Sequence, residues 1–239
     1  DGKLWVTAES SDAVLALDPM TLAEQGRASV EGRPRSVIAG PDGQNVYVHG
    51  AQNFRVTAVD GSYETAGTGA TGEDPRPKDL AAGQRYFTGT GEQFAKNWSC
   101  NSCHGDMLTD TLIWNAGPFE DKVVSKPFFW LEGTNRLGWA GYLSNIRNYS
   151  YEVNNNVGVR PTTEQAENLH AFLSSIMPPP AANGLTRPDG TLSEQGQRGK
   201  TLYEGKAGCA GCHATPLTTN RRQFDEGITG GVSDVPALV

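Results

Sequence analysis

A chain of 239 residues is long enough for one large domain or two small ones. With 37% hydrophobic and 20% charged residues it is globular but not core-rich, and 29 Gly and 14 Pro predict many turns. A net charge of −7 argues against nucleic acid and anionic membrane surfaces as partners, and no run of about 18 apolar residues is present to span a bilayer.

Residues 1–63 repeat with a period near 42: Trp5-Val6 matches Tyr47-Val48, and Val14 to Asp18 matches Val56 to Asp60. Each unit alternates apolar and polar residues between Asp-Gly turns, which predicts short antiparallel strands. Several strands in a 40–45-residue period is a blade-like signature, and the segment resembles YVTN-type β-propellers. One or two blades cannot bury their faces alone, so further chain or a partner is expected to complete them. The alternative is a small β-meander. Residues 64–78, rich in Gly, Thr, Glu and Pro, are expected to be a linker.

Beyond it come two copies of one pentapeptide. Cys100-Asn101-Ser102-Cys103-His104 and Cys209-Ala210-Gly211-Cys212-His213 both read C-x-x-C-H, the attachment signature of c-type haem. Two thiols spaced by two residues add to the porphyrin vinyl groups, and the adjacent His reaches the iron. Cys100, Cys103, Cys209 and Cys212 are therefore the expected attachment residues, and His104 and His213 the proximal ligands of two haems c. A redox dithiol, a disulfide, half a zinc site or one all-cysteine zinc site are the competing readings. None of them needs a His directly after both pairs, and the motifs use all 4 Cys. Haem c is attached outside the cytoplasm, so a periplasmic or extracellular location is expected, with a signal segment removed.

Each motif follows an amphipathic stretch carrying Gly, a basic residue and an aromatic: Leu80 to Phe87 before the first, Ser193 to Tyr203 before the second. Thr162 to Ile176 places Ala166, Leu169, Phe172, Leu173 and Ile176 at helical spacing, and Pro178 to Pro180 ends it. The expected fold is thus mixed: blade-like residues 1–63, a linker over 64–78, and two mainly α-helical cytochrome c domains, 79–180 and an incomplete 181–239, each with one haem.

The paired motifs 109 positions apart, Gln195 to Lys200, and Asp234-Val235-Pro236-Ala237-Leu238 carry a resemblance. Residues 79–239 are similar to the diheme cytochrome c peroxidase and MauG superfamily, in the branch fused to a YVTN propeller. The resemblance implies two haems with unequal roles. The N-terminal haem reacts with peroxide, the C-terminal one takes electrons from a donor protein, and an aromatic residue lies between. Trp130 and Trp139 are the candidates for that relay, within an aromatic run from Trp114 through Phe119, Phe128 and Phe129 to Tyr142. A haem-pocket wall is the plainer role for that run.

The sixth ligands are not evident. His49, His170, Met20, Met107 and Met177 are the His and Met residues outside the motifs, and none follows His213. Tyr142, Tyr149, Tyr151, Lys122 and Lys126 are further candidates, and an open first iron is the expectation. Glu132, Glu152 and Glu164 are candidate acid–base groups for peroxide cleavage. Asp225-Glu226 and Arg221-Arg222 read as surface, although an Arg often pairs a haem propionate. Three functions follow: electron transfer through two haems with a redox donor or acceptor protein, a hydrogen-peroxide-dependent diheme peroxidase or oxidase, and a binding protein with accessory haems.

Overall fold

The computed structural model describes residues 2–41, 43–89, 98–115, 122–134, 136–148, 161–178, 184–225 and 232–238. The chain divides into two compact units. One comprises Asp1–Asp106 with Val157–Leu169, the other Met107–Asn156 with His170–Val239.

The first unit begins with a three-stranded antiparallel sheet, β1 (Leu4–Ala8), β2 (Ala13–Leu17) and β3 (Glu24–Ser29). A four-stranded meander follows: β4 (Pro34–Ala39), β5 (Asn45–Gly50), β6 (Arg55–Asp60) and β7 (Thr65–Ala70). Period-two alternation explains the facing. Val46 and Val48 are buried while Tyr47 between them is 37% exposed. Val14, Ala28, Val30, Val46, Val48 and Val59 form one core, packed against by Trp5, Val37 and Tyr63. The repeat shows in the turn chemistry. The Asp18 carboxylate accepts the N–H groups of Met20 and Thr21 at 2.9 and 2.8 Å, and its counterpart Asp60 accepts those of Ser62 and Glu64 at 2.9 and 3.1 Å. The stretch expected to be a linker therefore opens with a strand, since β7 pairs with β6 along its length.

The same unit holds α1 (Lys78–Thr88), begun after Pro77, and the short α2 (Cys100–Cys103). Ala81, Tyr86 and Phe87 turn one face of α1 inward, with Phe87 fully buried. The opening of α3 (Thr163–Ser174) belongs here as well, and its Ala166 and Leu169 are buried. A capping box starts it: Gln165 N–H donates to Thr162 Oγ1 at 3.2 Å, and Thr162 N–H donates to Gln165 Oε1 at 2.8 Å.

The second unit corrects the expected fold class. It is not a pair of mainly α-helical cytochrome domains; the chain as a whole is mixed, with helices set among several small antiparallel sheets. Here β8 (Ile113–Trp114) pairs with β9 (Val123–Val124), β10 (Gln223–Asp225) pairs with β11 (Val232–Asp234), and Leu137 bridges Leu143. α4 (Glu194–Glu204), capped by Ser193 Oγ on the Gly196 N–H at 3.2 Å, lies before the second motif. The physical reason is in the backbone. Met107, Thr111, Lys122, Trp130, Arg136, Thr218 and Arg221 all have positive φ, and a left-handed residue ends a right-handed helix wherever it falls. Phe128, Leu137, Leu143, Ile146, Phe172, Leu173, Ile176 and Val235 are the buried apolar residues described in this unit.

Candidate functional site

Both pentapeptides form one tight helical turn. In the first, Ser99 caps α2: its side chain accepts the Ser102 backbone N–H, and Ser102 Oγ accepts the Ser99 N–H at 3.0 Å. The His104 N–H then donates to the Cys100 carbonyl at 2.9 Å. In the second, Cys209–Gly211 make a 3₁₀ turn and the His213 N–H donates to the Cys209 carbonyl at 2.8 Å. The same closing bond therefore puts Cys, Cys and His at i, i+3 and i+4, neighbours on one helical face. No disulfide joins the four cysteines, and among the described residues no group of three or more His, Cys, Asp or Glu gathers as a metal-holding cluster.

The first motif is anchored to the β-sheet part of its own unit. Arg35 of β4 bridges Asp106 at 2.7 Å and Glu9 at 3.7 Å, and the Ser10 and Ser99 hydroxyls lie 3.5 Å apart. Its first thiol is sheltered: burial pushes Cys100 up to about 12, and the charge of Cys103 adds to the rise. Burial also raises Tyr86 on α1, with the Cys100 charge next. In the same unit a cleft of about 250 Å³ is lined by Arg33, Arg85, Tyr86, Gln165 and Asn168 among others.

The second motif has the more telling geometry. His213 Nδ1 lies 3.0 Å from the Thr218 carbonyl and 3.1 Å from the Pro236 carbonyl. Both are acceptors, so Nδ1 carries a proton, and in the neutral ring Nε2 then presents its lone pair. The carbonyl partners also fix the ring plane, as the outer partners of a metal-bound imidazole do. Asn220 secures the turn, its N–H donating to the Cys212 carbonyl at 2.8 Å and its Nδ2 to the Gly211 carbonyl at 3.1 Å. Tyr203 of α4 donates to the His213 carbonyl.

Pro236 is delivered by the extended segment 234–238, which is pinned residue by residue. Asp234 N–H donates to the Trp139 carbonyl at 2.7 Å, Thr219 Oγ1 donates to the Val235 carbonyl at 2.6 Å, and Leu238 N–H donates to Thr218 Oγ1 at 2.6 Å. Asp234 itself is buried, and burial pushes its carboxyl up to about 6 while Lys126 and Arg136 pull against the rise. Sequence reasoning missed both the carbonyl partners of His213 and the burial of Asp234. The Asp-Val-Pro run was visible, but only the folded segment shows what it grips.

The remaining candidates scatter. Trp139 donates from Nε1 to the Val124 carbonyl at 2.6 Å and lies 4.4 Å beneath the Lys126 ammonium. Trp130, at positive φ, donates its N–H to the Ile176 carbonyl at 3.1 Å. His49 sits in β5 opposite Val56 and Ser36. His170 faces Glu132 at 3.8 Å, and Glu132 also accepts the Ser174 hydroxyl at 2.9 Å. Met20 and Met177 are 88% and 63% exposed, and Tyr142 is 38% exposed. Met107 and Lys122 both occupy left-handed turns. Glu164 is exposed in the first turn of α3, and Asp225 is exposed on β10. Arg221 and Arg222 follow the second motif, where Arg221 N–H donates to Thr219 Oγ1 at 3.0 Å and the Arg222 carbonyl accepts the Val235 N–H at 3.1 Å. Phe119, Tyr149, Tyr151, Glu152 and Glu226 lie outside the described residues.

No family model and no curated protein matches the chain. Among solved structures, a hydrazine synthase chain from Kuenenia stuttgartiensis, pressurised with 20 bar xenon, is similar at 20% identity with a TM-score of 0.52. That alignment covers 70% of this chain and 61% of the other, and it shows likeness of fold. A second hydrazine synthase chain from the same organism aligns at 25% identity over 31% of this chain and 21% of its own length, with a TM-score of 0.29. The chain thus spans less than two thirds of the length of either.

Proposed function

We propose that this chain is a c-type cytochrome carrying two covalently bound haems and passing electrons through them. Cys100 and Cys103 hold one by thioether bonds and Cys209 and Cys212 the other, while His104 and His213 are the proximal ligands. The carrying observation is the His213 ring, whose Nδ1–H is shared between the Thr218 and Pro236 carbonyls so that Nε2 is left as a donor. The donor set fits the group. Thioether attachment leaves sulfur off the metal, so each motif needs only one imidazole for the iron, and no cluster of three ligating side chains is called for. Bound haem supplies a one-electron couple; the chain's residues fix its attachment, orientation and surroundings.

The donor sets, not the fold likeness, carry this reading. Its partner would be a redox donor or acceptor protein. Its place would be periplasmic or extracellular, where haem c is attached; among the described residues no helix is long and apolar enough to cross a membrane.

One observation favours the peroxide-dependent alternative on this scaffold, with the first haem as the reactive iron. His170 is engaged by Glu132, His49 is built into β5, and Met177 points to solvent. An iron without a His or Met on its second side is open to a small ligand.

Haem content by pyridine haemochrome and intact mass tests the central reading, with two haems per chain expected. The double variant Cys209→Ala/Cys212→Ala should retain one. A reduced spectrum without a sharp c-type α-band sinks the proposal. Carbon monoxide then separates the alternatives: binding at one centre supports peroxide chemistry, and binding at neither supports plain electron transfer.

A further inference from the structure

Asp234 is a buried carboxylate tied by a short run of backbone to the carbonyl that holds the His213 ring. Only 8% of the residue is exposed, and its Oδ1 is buried and accepts no hydrogen bond from any described residue. Its backbone is also held in place. Its N–H is held by the Trp139 carbonyl at 2.7 Å, and it faces Gln223 across the β10–β11 pair. A Cβ on Gly141, whose φ is +63°, would sit 3.1 Å from the Asp234 Cβ. The charged groups that face it are Lys126 and Arg136, both cationic. The rest of its wall, Gln223, Trp139 and Gly141, carries no charge.

Two residues further on, the Pro236 carbonyl takes the His213 Nδ1–H at 3.1 Å, and the Val235 carbonyl between them is locked by Thr219. Extended residues advance about 3.3 Å each, so the carboxylate and the imidazole lie on the order of 10 Å apart. At that range, and at an effective dielectric near 20, one unit of charge changes the proton affinity of another site by roughly tenfold.

We propose that Asp234 is the proton-accepting residue of the centre held by His213: an electron entering that centre is matched by a proton taken from water onto the Asp234 carboxylate. This rests on the haem reading of the second motif. The step balances. A one-electron donor protein is oxidised by one electron, the ferric centre is reduced by one, and the carboxylate gains one proton, so the net charge of the pocket is unchanged. Burial already brings the carboxyl up to about 6, where the loss of one positive charge nearby decides whether it is protonated. The role is one of charge compensation, and Asp234 does not touch the ring it serves.

The test is the midpoint potential of the second centre in the haem-loaded protein, followed between about pH 5 and 8, for the wild type and Asp234→Asn. The wild-type potential should fall as pH rises, and the variant should be flat. Haem content is measured on the same samples. A second motif without haem removes both this proposal and the reading beneath it. Haem present with an unchanged slope in Asp234→Asn removes this proposal alone. Should the variant fail to fold, redox-difference infrared spectroscopy of the wild type, with and without isotope-labelled Asp, decides. A protonated carboxyl band growing on reduction supports the proposal, and its absence overturns it.

Discussion

Asp234 and Cys100 are displaced from their ordinary proton affinities in the same direction and for the same reason, removal from water. Asp234 rises from 3.8 to about 6, so the folded state binds its proton more tightly than the unfolded state. The stability this contributes is full below about pH 4 and is lost as pH rises through about 6. A shift of about two units corresponds to roughly 3 kcal/mol as a ceiling. Asp234→Asn should therefore be more stable than wild type at pH 7 and should lose the fall in stability that Asp234 contributes between pH 4 and 7, as read by denaturant unfolding at both ends. An Asn variant that keeps the wild-type slope would show that another group titrates. For Cys100, burial pushes the thiol up to about 12, and the thiolate is the reactive form. In protein produced without haem, Cys100 should be alkylated at least tenfold more slowly than Cys209, which is exposed. Mass spectrometry of the timed reaction reads this directly, and equal rates would mean that the first turn is open. Neither shift was legible in the sequence, because burial depends on contacts made by Tyr86 or Trp139, remote in the chain.

At the scale of elements, legibility followed the length of the periodic signal. The strands of residues 4–70 alternate with period two over five or six residues each, and the repeat of 42 places β5 and β6 over β1 and β2. α1, α3 and α4 run for 11 or 12 residues with an inward face or a cap to mark them. β8 and β9 have two residues apiece, too few for any period, so the small sheets that replace the expected helical domains leave no pattern in the sequence. The two pentapeptides stand out for a different reason: the covalent chemistry proposed for them lies within five residues and does not depend on the rest of the fold. One element-scale expectation concerns Gly26 in β3. A Cβ there would land on the Tyr63 ring, which packs against Trp5 with centroids 6.0 Å apart. Gly26→Ala should force Tyr63 aside and cost about 1–3 kcal/mol. A lower Tm with a changed near-ultraviolet signal is expected, and an unchanged Tm would mean that the ring shifts freely.

Across the whole molecule the dominant physical fact is an excess of acidic over basic residues. Net charge is −7 before any haem propionate is added. Long-range attraction of this kind steers encounters without fixing the docked pose, and it weakens as salt shortens the Debye length from about 30 Å at 0.01 M to about 8 Å at 0.15 M. If electrons pass through the chain, its reduction by a cationic donor protein should slow as salt is raised, and reduction by an anionic donor should quicken. Stopped-flow traces of the reduced α-band across that range of ionic strength read both. A rate independent of salt for both donors would place the docking face on a neutral patch. The reversed pattern, a cationic donor quickening and an anionic donor slowing as salt is raised, would point to a local cluster such as Arg221 and Arg222, beside the second motif, overriding the net charge. The measurement thus asks whether the composition of the chain or the immediate surroundings of one centre selects its partner.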